Sequence, residues 1–139
     1  MLVVDGFVGC EHVKVGVLRL APKTVQAEAG RTARLRLSRR HPRAWRNLRG
    51  IELRLTGNGL PVGDITVRPR AERITADGAV EIVRKHTRLT HEGKAVVARL
   101  AVRLDDSLAG RTLRAEVEAT DRRGRRQLER DAGTVRVAE

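Results

Sequence analysis

The sequence predicts an all-β fold in which two antiparallel sheets pack against each other as a β-sandwich of about 7–9 strands. Three observations predict it: apolar and polar residues alternate along many short segments, turn sequences separate these segments, and 40% of the 139 residues are hydrophobic. That fraction supports one core, although 33% of the residues are charged. No apolar run approaches the roughly 20 residues that a membrane-spanning helix needs.

The clearest alternation lies in the segment 95–104. The apolar row expected to point inward is Val96, Ala98, Leu100, Val102 and Leu104, and the row expected to point outward is Val97, Arg99, Ala101 and Arg103. A strand separates these rows, whereas a helix would spread them around its circumference. The same alternation recurs in the segments 31–38, 51–56, 65–67, 80–82, 113–119 and 135–137. One apolar and one polar face is typical of antiparallel sheets with a wet side.

Turn sequences separate the alternating segments at intervals typical of a sandwich. The most specific is Asp121-Arg122-Arg123-Gly124. Aspartate suits the first position of a type I turn and glycine the fourth, so we expect a hairpin here.

The first segments carry an irregularity. Val13, Val15 and Val17 alternate, and Leu18 and Leu20 continue in the opposite phase. This change predicts either a β-bulge or a strand that crosses from one sheet to the other. Residues 1–12 are the least patterned, and we expect them to form an N-terminal edge strand or an arm. Residues 13–139 are expected to form a single domain.

One short helical turn is expected near Trp45. Pro42 fits a first helical position, Gly50 fits just beyond a helix end, and Ala44, Trp45 and Leu48 share a face at helical spacing. We interpret Trp45 as a plug over one open end of the sandwich, with an exposed binding residue as the alternative.

The last third of the chain resembles bacterial immunoglobulin-like domains of the PKD and related kinds. The resemblance rests on the Ala-Gly turn at 109–110, the strand ending in Ala119-Thr120-Asp121, the turn with Gly124, and the closing 133–137. The segment 27–35 similarly resembles the entry to the second strand of such domains. The resemblance implies an immunoglobulin-like antiparallel β-sandwich that serves as a spacer, an adhesion or carbohydrate-contact module, or part of an assembled surface. The chain departs from the antibody pattern because it has no cysteine pair and no tyrosine.

The net charge is +12, with 29 Lys and Arg against 17 Asp and Glu. One interpretation is an anionic partner, and the other is the arginine bias of a high-GC genome. The basic residues expected in loops or turns, and proposed for anion binding, are Arg39, Arg40, Arg43, Arg46, Arg122, Arg123, Arg125 and Arg126. If these loops meet at one end of the sandwich, they form one patch for a polyanion such as nucleic acid or acidic polysaccharide.

No catalytic, cofactor or metal site is expected. The histidines His12, His41, His86 and His91 lack zinc-site spacing, and Asp105, Asp106 and Asp121 suit turns better than calcium in so basic a chain. Neither Ser38 nor Ser107 lies in a nucleophile motif, and Cys10 with His12 is not a dyad on sequence proximity alone.

Two short motifs resemble those of PilZ barrels, which bind cyclic-di-GMP. Arg84 to Arg88 fits Arg-x-x-x-Arg, and Asp105 to Gly110 fits Asp-x-Ser-x-x-Gly. The resemblance implies a nucleotide-sensing barrel, but the arginine pair follows several predicted strands, whereas in that family it precedes the barrel.

The leading functional expectation is a non-catalytic structural or interaction module of a larger surface protein or assembly. Its expected partner is another protein or a second copy, with a polyanion as the alternative and no small-molecule substrate. The segment Met1 to Gly6 lacks the basic region and apolar run of a signal peptide. An extracellular or cell-surface location is expected only for a part of a larger secreted protein.

Overall fold

The computed structural model describes residues 17–21, 23–40, 48–92 and 95–139, with the side chains of 17–19, 40 and 92 excepted. This part of the chain forms β1 (Val17–Ala21), β2 (Thr24–Glu28), β3 (Thr32–Arg40), β4 (Leu48–Gly57), β5 (Leu60–Arg68), β6 (Arg73–Gly78), β7 (Val80–Ile82), β8 (Arg88–Glu92), β9 (Ala95–Leu104), β10 (Thr112–Asp121) and β11 (Arg126–Ala138). Two single 3₁₀ turns, Arg84–His86 and Asp106–Leu108, complete it. The expected all-β class is confirmed.

The strands form two sheets that face each other. The five-stranded sheet has the order β1-β3-β9, with β7 and β8 both pairing along the far side of β9, and the six-stranded sheet has the order β2-β11-β10-β4-β5-β6. Every pair is antiparallel except β2, which runs parallel to β11. The two orders correspond to the A-B-E-D and G-F-C-C′-C″ sheets of a variable-type immunoglobulin sandwich. The expected immunoglobulin-like sandwich is therefore confirmed.

The eleven strands exceed the expected seven to nine because two segments change sheets and one strand is interrupted. The first change separates β1, which pairs with β3, from β2, which pairs with β11. The sequence predicted a bulge or a crossing from the phase change at Leu18. The structure has the crossing, but after Ala21, because Leu20 still lies opposite Leu37 in the five-stranded sheet.

The second change of sheet takes place at Gly78, between β6 and β7. Gly78 has a φ of +78°, and the next amide, that of Ala79, donates to the carbonyl of Val62 at 2.9 Å. The segment β7 then pairs with the end of β9, and β8 pairs with its beginning. The 3₁₀ turn Arg84–His86 interrupts what would otherwise be one long edge strand.

The core lies between the sheets and is built from alternate residues, as the sequence predicted. Leu100 is 2% exposed, and Val96, Ala98, Val102 and Leu104 are buried beside it on β9. Two outward positions of the same strand, Val97 and Ala101, are also buried, which corrects the expectation of a fully wet outer row. β9 is flanked on both sides by neighbouring strands, so small side chains on its outer face lose solvent contact.

The helical turn expected near Trp45 is corrected where the structure describes it. Trp45 itself lies outside the described residues, together with Pro42 and Ala44. Leu48 and Gly50 are not the end of a helix but open β4, and Leu48 is fully buried opposite Asp121. Backbone pairing with β10 stabilises this segment as a strand, whereas a single helical turn is marginal by itself.

Leu100→Asp tests the assignment of the inward row. A carboxylate placed among apolar core side chains should lower the free energy of unfolding by more than about 4 kcal/mol, measured by urea denaturation. The control is Arg103→Ser on the same strand, which is exposed and should change it by less than about 0.5 kcal/mol. An unchanged urea midpoint for Leu100→Asp would contradict the inward orientation.

Gly78→Ala and Gly124→Ala separate backbone strain from steric conflict. Both glycines have a similar positive φ, +78° and +82°. A Cβ at Gly78 would lie 2.7 Å from the Val62 carbonyl oxygen, whereas at Gly124 nothing lies within 4 Å. We expect a loss of about 1 kcal/mol at Gly124 and of more than about 2 kcal/mol at Gly78 in thermal unfolding. Equal losses would show that the close approach at Gly78 costs nothing.

Candidate functional site

Two turns lie at one end of the sandwich, which we call the loop end: the turn from β5 to β6 and the turn from β10 to β11. The end of β3 and the start of β4, which flank the connection between these strands, lie at the same end. The register places them together, since β4 and β10 meet at Leu48 and Asp121, and β5 and β6 at Arg68 and Arg73. The corresponding connections of variable-type immunoglobulin domains are the recognition loops. The strand ends that flank both predicted arginine clusters therefore lie at one end.

A buried aspartate organises the turn from β10 to β11. Asp121 is 1% exposed, and its Oδ1 accepts hydrogen bonds from the backbone amides of Arg123 at 3.0 Å and Arg125 at 2.9 Å. Its Oδ2 accepts from Nε of Arg125 at 2.7 Å. The amide of Gly124 donates to the Asp121 carbonyl at 3.0 Å, which is the closing bond of the predicted type I turn.

The protonation of Asp121 follows from these contacts. Burial alone would raise the pKa of Asp121, but the hydrogen bonds from Arg125 and Arg123 and the charge of Arg125 together lower this pKa below its usual value. The carboxylate is therefore ionised and engaged by protein donors. This explains the residue as a turn cap.

Arg39 is fully buried, so its predicted place in an exposed basic loop is wrong. β3 extends through Arg40, and the alternation that buries Leu35 and Leu37 also directs Arg39 inward. Its Nη2 donates to Oε1 of Gln127 on β11 at 2.6 Å, which links the two sheets beneath the loop end. Burial lowers the pKa of Arg39 to about 10, and the negative charges of Asp121 and Glu129 oppose that shift.

The other residues proposed for anion binding divide into three groups. Arg122, Arg123 and Arg126 are exposed at the turn from β10 to β11. Arg125 is half-buried and bound to Asp121. Arg40 ends β3, and Arg43 and Arg46 lie outside the described residues. The structure therefore leaves three of the eight as exposed guanidinium groups whose side chains are described.

Sequence reasoning missed a third basic connection at the loop end. The turn from β5 to β6 carries Arg68, Arg70 and Arg73, all exposed, with Glu72 among them. The signal was present, because Pro69 and these arginines fall between two alternating segments. Exposed arginines on two turns at one end can contact an acidic surface together.

Among the other candidate residues, Asp105 and Ser107 form hydrogen bonds with each other. Oδ2 of Asp105 accepts from the Ser107 hydroxyl at 2.5 Å and its amide at 3.3 Å, and these bonds lower the pKa of Asp105. His86 and His91 are exposed, and His12, His41 and Cys10 lie outside the described part. In the described part, no three His, Cys, Asp or Glu side chains come together as a metal site. Nor does it contain a helix long and apolar enough to cross a membrane.

The two motifs that resemble PilZ sequences are far apart. Arg88 lies opposite Arg99 on β9, whereas Asp105 follows the other end of β9 and donates its amide to the Ala79 carbonyl at 2.9 Å. Six residues of extended chain separate Arg99 from Asp105, a distance of about 20 Å. Arg88 therefore lies far from the second motif, and the fold is a sandwich of two sheets.

Comparisons with known proteins identify the fold and no family. No family model matches the chain, and no curated protein sequence matches it significantly. A chain from the structural study of T cell specificity and activation by the bacterial superantigen toxic shock syndrome toxin-1 is similar in fold, with a TM-score of 0.52 and 11% identity, over 88% of this chain and 98% of that one. Murine CRIg follows with a TM-score of 0.47, 12% identity and the same two coverages, 88% and 98%.

Asp121→Asn should lower the free energy of unfolding by about 2 kcal/mol at pH 7, because a buried charge-assisted bond to Arg125 is lost. The pKa of Asp121 is lower in the folded state than in the unfolded state. The stabilisation by its ionised carboxylate is therefore complete above the unfolded-state pKa of about 3.9, and it is lost as the pH falls through the folded-state pKa. Urea denaturation at pH 7 and about pH 2.5 measures both effects. The difference between wild type and variant should shrink in acid, and a constant difference would contradict the assignment.

Proposed function

We propose that this chain is a non-catalytic interaction module of a larger surface protein or assembly, and that it contacts its protein partner through the loop end. The observation that carries the proposal is the position of two turns with exposed arginines at one end of an immunoglobulin-like sandwich, beside the strand ends that flank the connection from β3 to β4. Such a module needs neither a cofactor nor a small-molecule substrate. We also propose an extracellular or cell-surface location for the module. The resemblance of its last third to PKD-type domains is consistent with this location.

The framework beneath the loop end supports this proposal. Asp121 fixes the turn from β10 to β11, and Arg39 joins that region to the opposite sheet through Gln127. A surface that is ordered before binding loses less conformational entropy on association. Buried polar contacts concentrated under one end are therefore consistent with recognition at that end.

A polyanion is the second candidate partner for the loop end. The observation that favours it is the exposure of Arg122, Arg123 and Arg126, because guanidinium groups form paired hydrogen bonds with phosphate and sulfate. The whole sequence holds one tryptophan, one phenylalanine and no tyrosine, so stacking on nucleic-acid bases would be weak. Such binding would rest on charge and fall steeply with salt.

Arg122→Glu with Arg123→Glu tests the loop end. The double variant should keep its free energy of unfolding within about 0.5 kcal/mol, because both side chains are exposed. We expect the wild-type domain to co-sediment with the envelope fraction of its source cells and the variant to bind at least about tenfold more weakly. The control is Arg31→Glu with Arg136→Glu, which makes the same charge change near the opposite end and should bind normally.

Three outcomes would contradict the proposal: no binding of the wild type, equal losses in both variants, or a large loss of stability in the loop-end variant. Heparin and DNA columns separate the two candidate partners. Retention above about 0.3 M salt that disappears in the loop-end variant would favour the polyanion.

A further inference from the structure

Five exposed arginines share the outer face of the five-stranded sheet, which we call the arginine face. They are Arg34, Arg36, Arg88, Arg99 and Arg103. Arg36, Arg99 and Arg88 lie side by side in one row across β3, β9 and β8. Glu81 lies opposite Arg103, at 4.0 Å between Oε1 and Nη1. Five arginines and one glutamate give the described side chains of this face a net charge of +4.

The outer face of the six-stranded sheet has the opposite charge at its centre. Two adjacent cross-strand rows form what we call the acidic patch, which consists of Glu52, Asp64, Asp77, Glu116, Glu118 and Arg54. Arg54 contacts Glu52 at 2.9 Å and Glu116 at 3.7 Å. Five carboxylates and one guanidinium give the patch a net charge of −4. Burial, followed by the charges of Glu52 and Asp77, raises the pKa of Asp64, as expected among carboxylates.

Both surfaces contain like charges at directly opposed positions. Arg36 faces Arg99 and Arg99 faces Arg88 on one side, while Glu52 faces Glu118 and Asp64 faces Asp77 on the other. Directly opposed like charges destabilise a sheet by roughly 0.2–1 kcal/mol per pair. An arginine-rich genome would raise the arginine content of both sheets alike. It does not explain why five carboxylates gather at the centre of one outer face, whereas the described side chains of the other face include a single glutamate.

We propose that the arginine face of one copy binds the acidic patch of a second copy, so that the domains stack face to back. The two surfaces lie on opposite sides of the sandwich, their described side chains carry opposite net charge, and each extends about 10–15 Å across the strands. Such a contact is heterologous, and it repeats along an open stack. A polyanion on the arginine face would leave the acidic patch without a counterpart, which favours a second copy as the occupant.

This contact adds a second surface to the proposed module and does not involve the loop end. Its small area places it among weak interfaces, so association is expected only at high protein concentration. Sedimentation equilibrium of the purified chain at up to about 1 mM should show self-association in about 0.05 M salt. Because the charges are exposed, about 0.5 M salt should abolish it.

Two reversed variants test the pairing of surfaces. Arg36→Glu with Arg99→Glu brings the charge of the arginine face from +4 to zero, and Glu52→Lys with Glu118→Lys brings that of the acidic patch from −4 to zero, so each variant alone should associate at least about tenfold more weakly than wild type. An equimolar mixture should recover association, because the unchanged arginine face of the second variant then meets the unchanged acidic patch of the first. From +12, the net charges become +8 and +16, so repulsion by net charge cannot produce this pattern.

Arg122→Glu with Arg123→Glu is the matched control, since it also lowers the net charge by four but alters only the loop end. It should associate like wild type, and circular dichroism should show all variants folded. A monomeric wild type at low salt, no recovery in the mixture, or an equal loss in the control would each overturn face-to-back stacking. Heparin retention that depends on Arg36 and Arg99, without self-association, would overturn it in favour of a polyanion.

Discussion

The burial of one apolar layer between two sheets is the constraint on which the rest of the structure depends. Each strand must send alternate residues inward, and the 0–2% exposure of Leu37, Ile65, Leu100 and Leu113 shows how completely this is met. The remaining residues are left to the outer faces and the turns. A short chain can therefore carry many charged residues. Their distribution over the two outer faces indicates which kinds of partner could bind there.

Features that depend on local chemistry could be predicted from the sequence. The alternation along β9 identified Leu100 as an inward residue, and Asp121 with Gly124 identified the type I turn. Both rest on relations within a few residues. The fold class followed from the repetition of such segments. The loop-end arginines Arg122 and Arg123 were found in the same way, because a polar turn at the end of a hairpin is exposed.

Features that depend on strand length and pairing could not be predicted. The sequence predicted a loop at Arg39, because the residues around it do not indicate that β3 continues through Arg40. Nor do they indicate that Arg39 contacts Gln127 on the other sheet. Leu48 was placed in a helix because its pairing with Asp121 involves a residue distant in sequence. The arginine face was invisible for the same reason, since only the register of β3, β9 and β8 brings Arg36, Arg99 and Arg88 into one row.

The split first strand has a mechanical consequence. β2 runs parallel to β11 over five register pairs, from Thr24 opposite Thr134 to Glu28 opposite Ala138. A tensile load applied between the chain before β2 and the chain after β11 pulls these two strands along their axes in opposite directions. The load is then shared by all the hydrogen bonds between these strands. When strands are peeled apart from one end, the load breaks the hydrogen bonds one at a time. The pairing of β2 with β11 would therefore resist a pull along the strands more strongly than a pull that peels them apart.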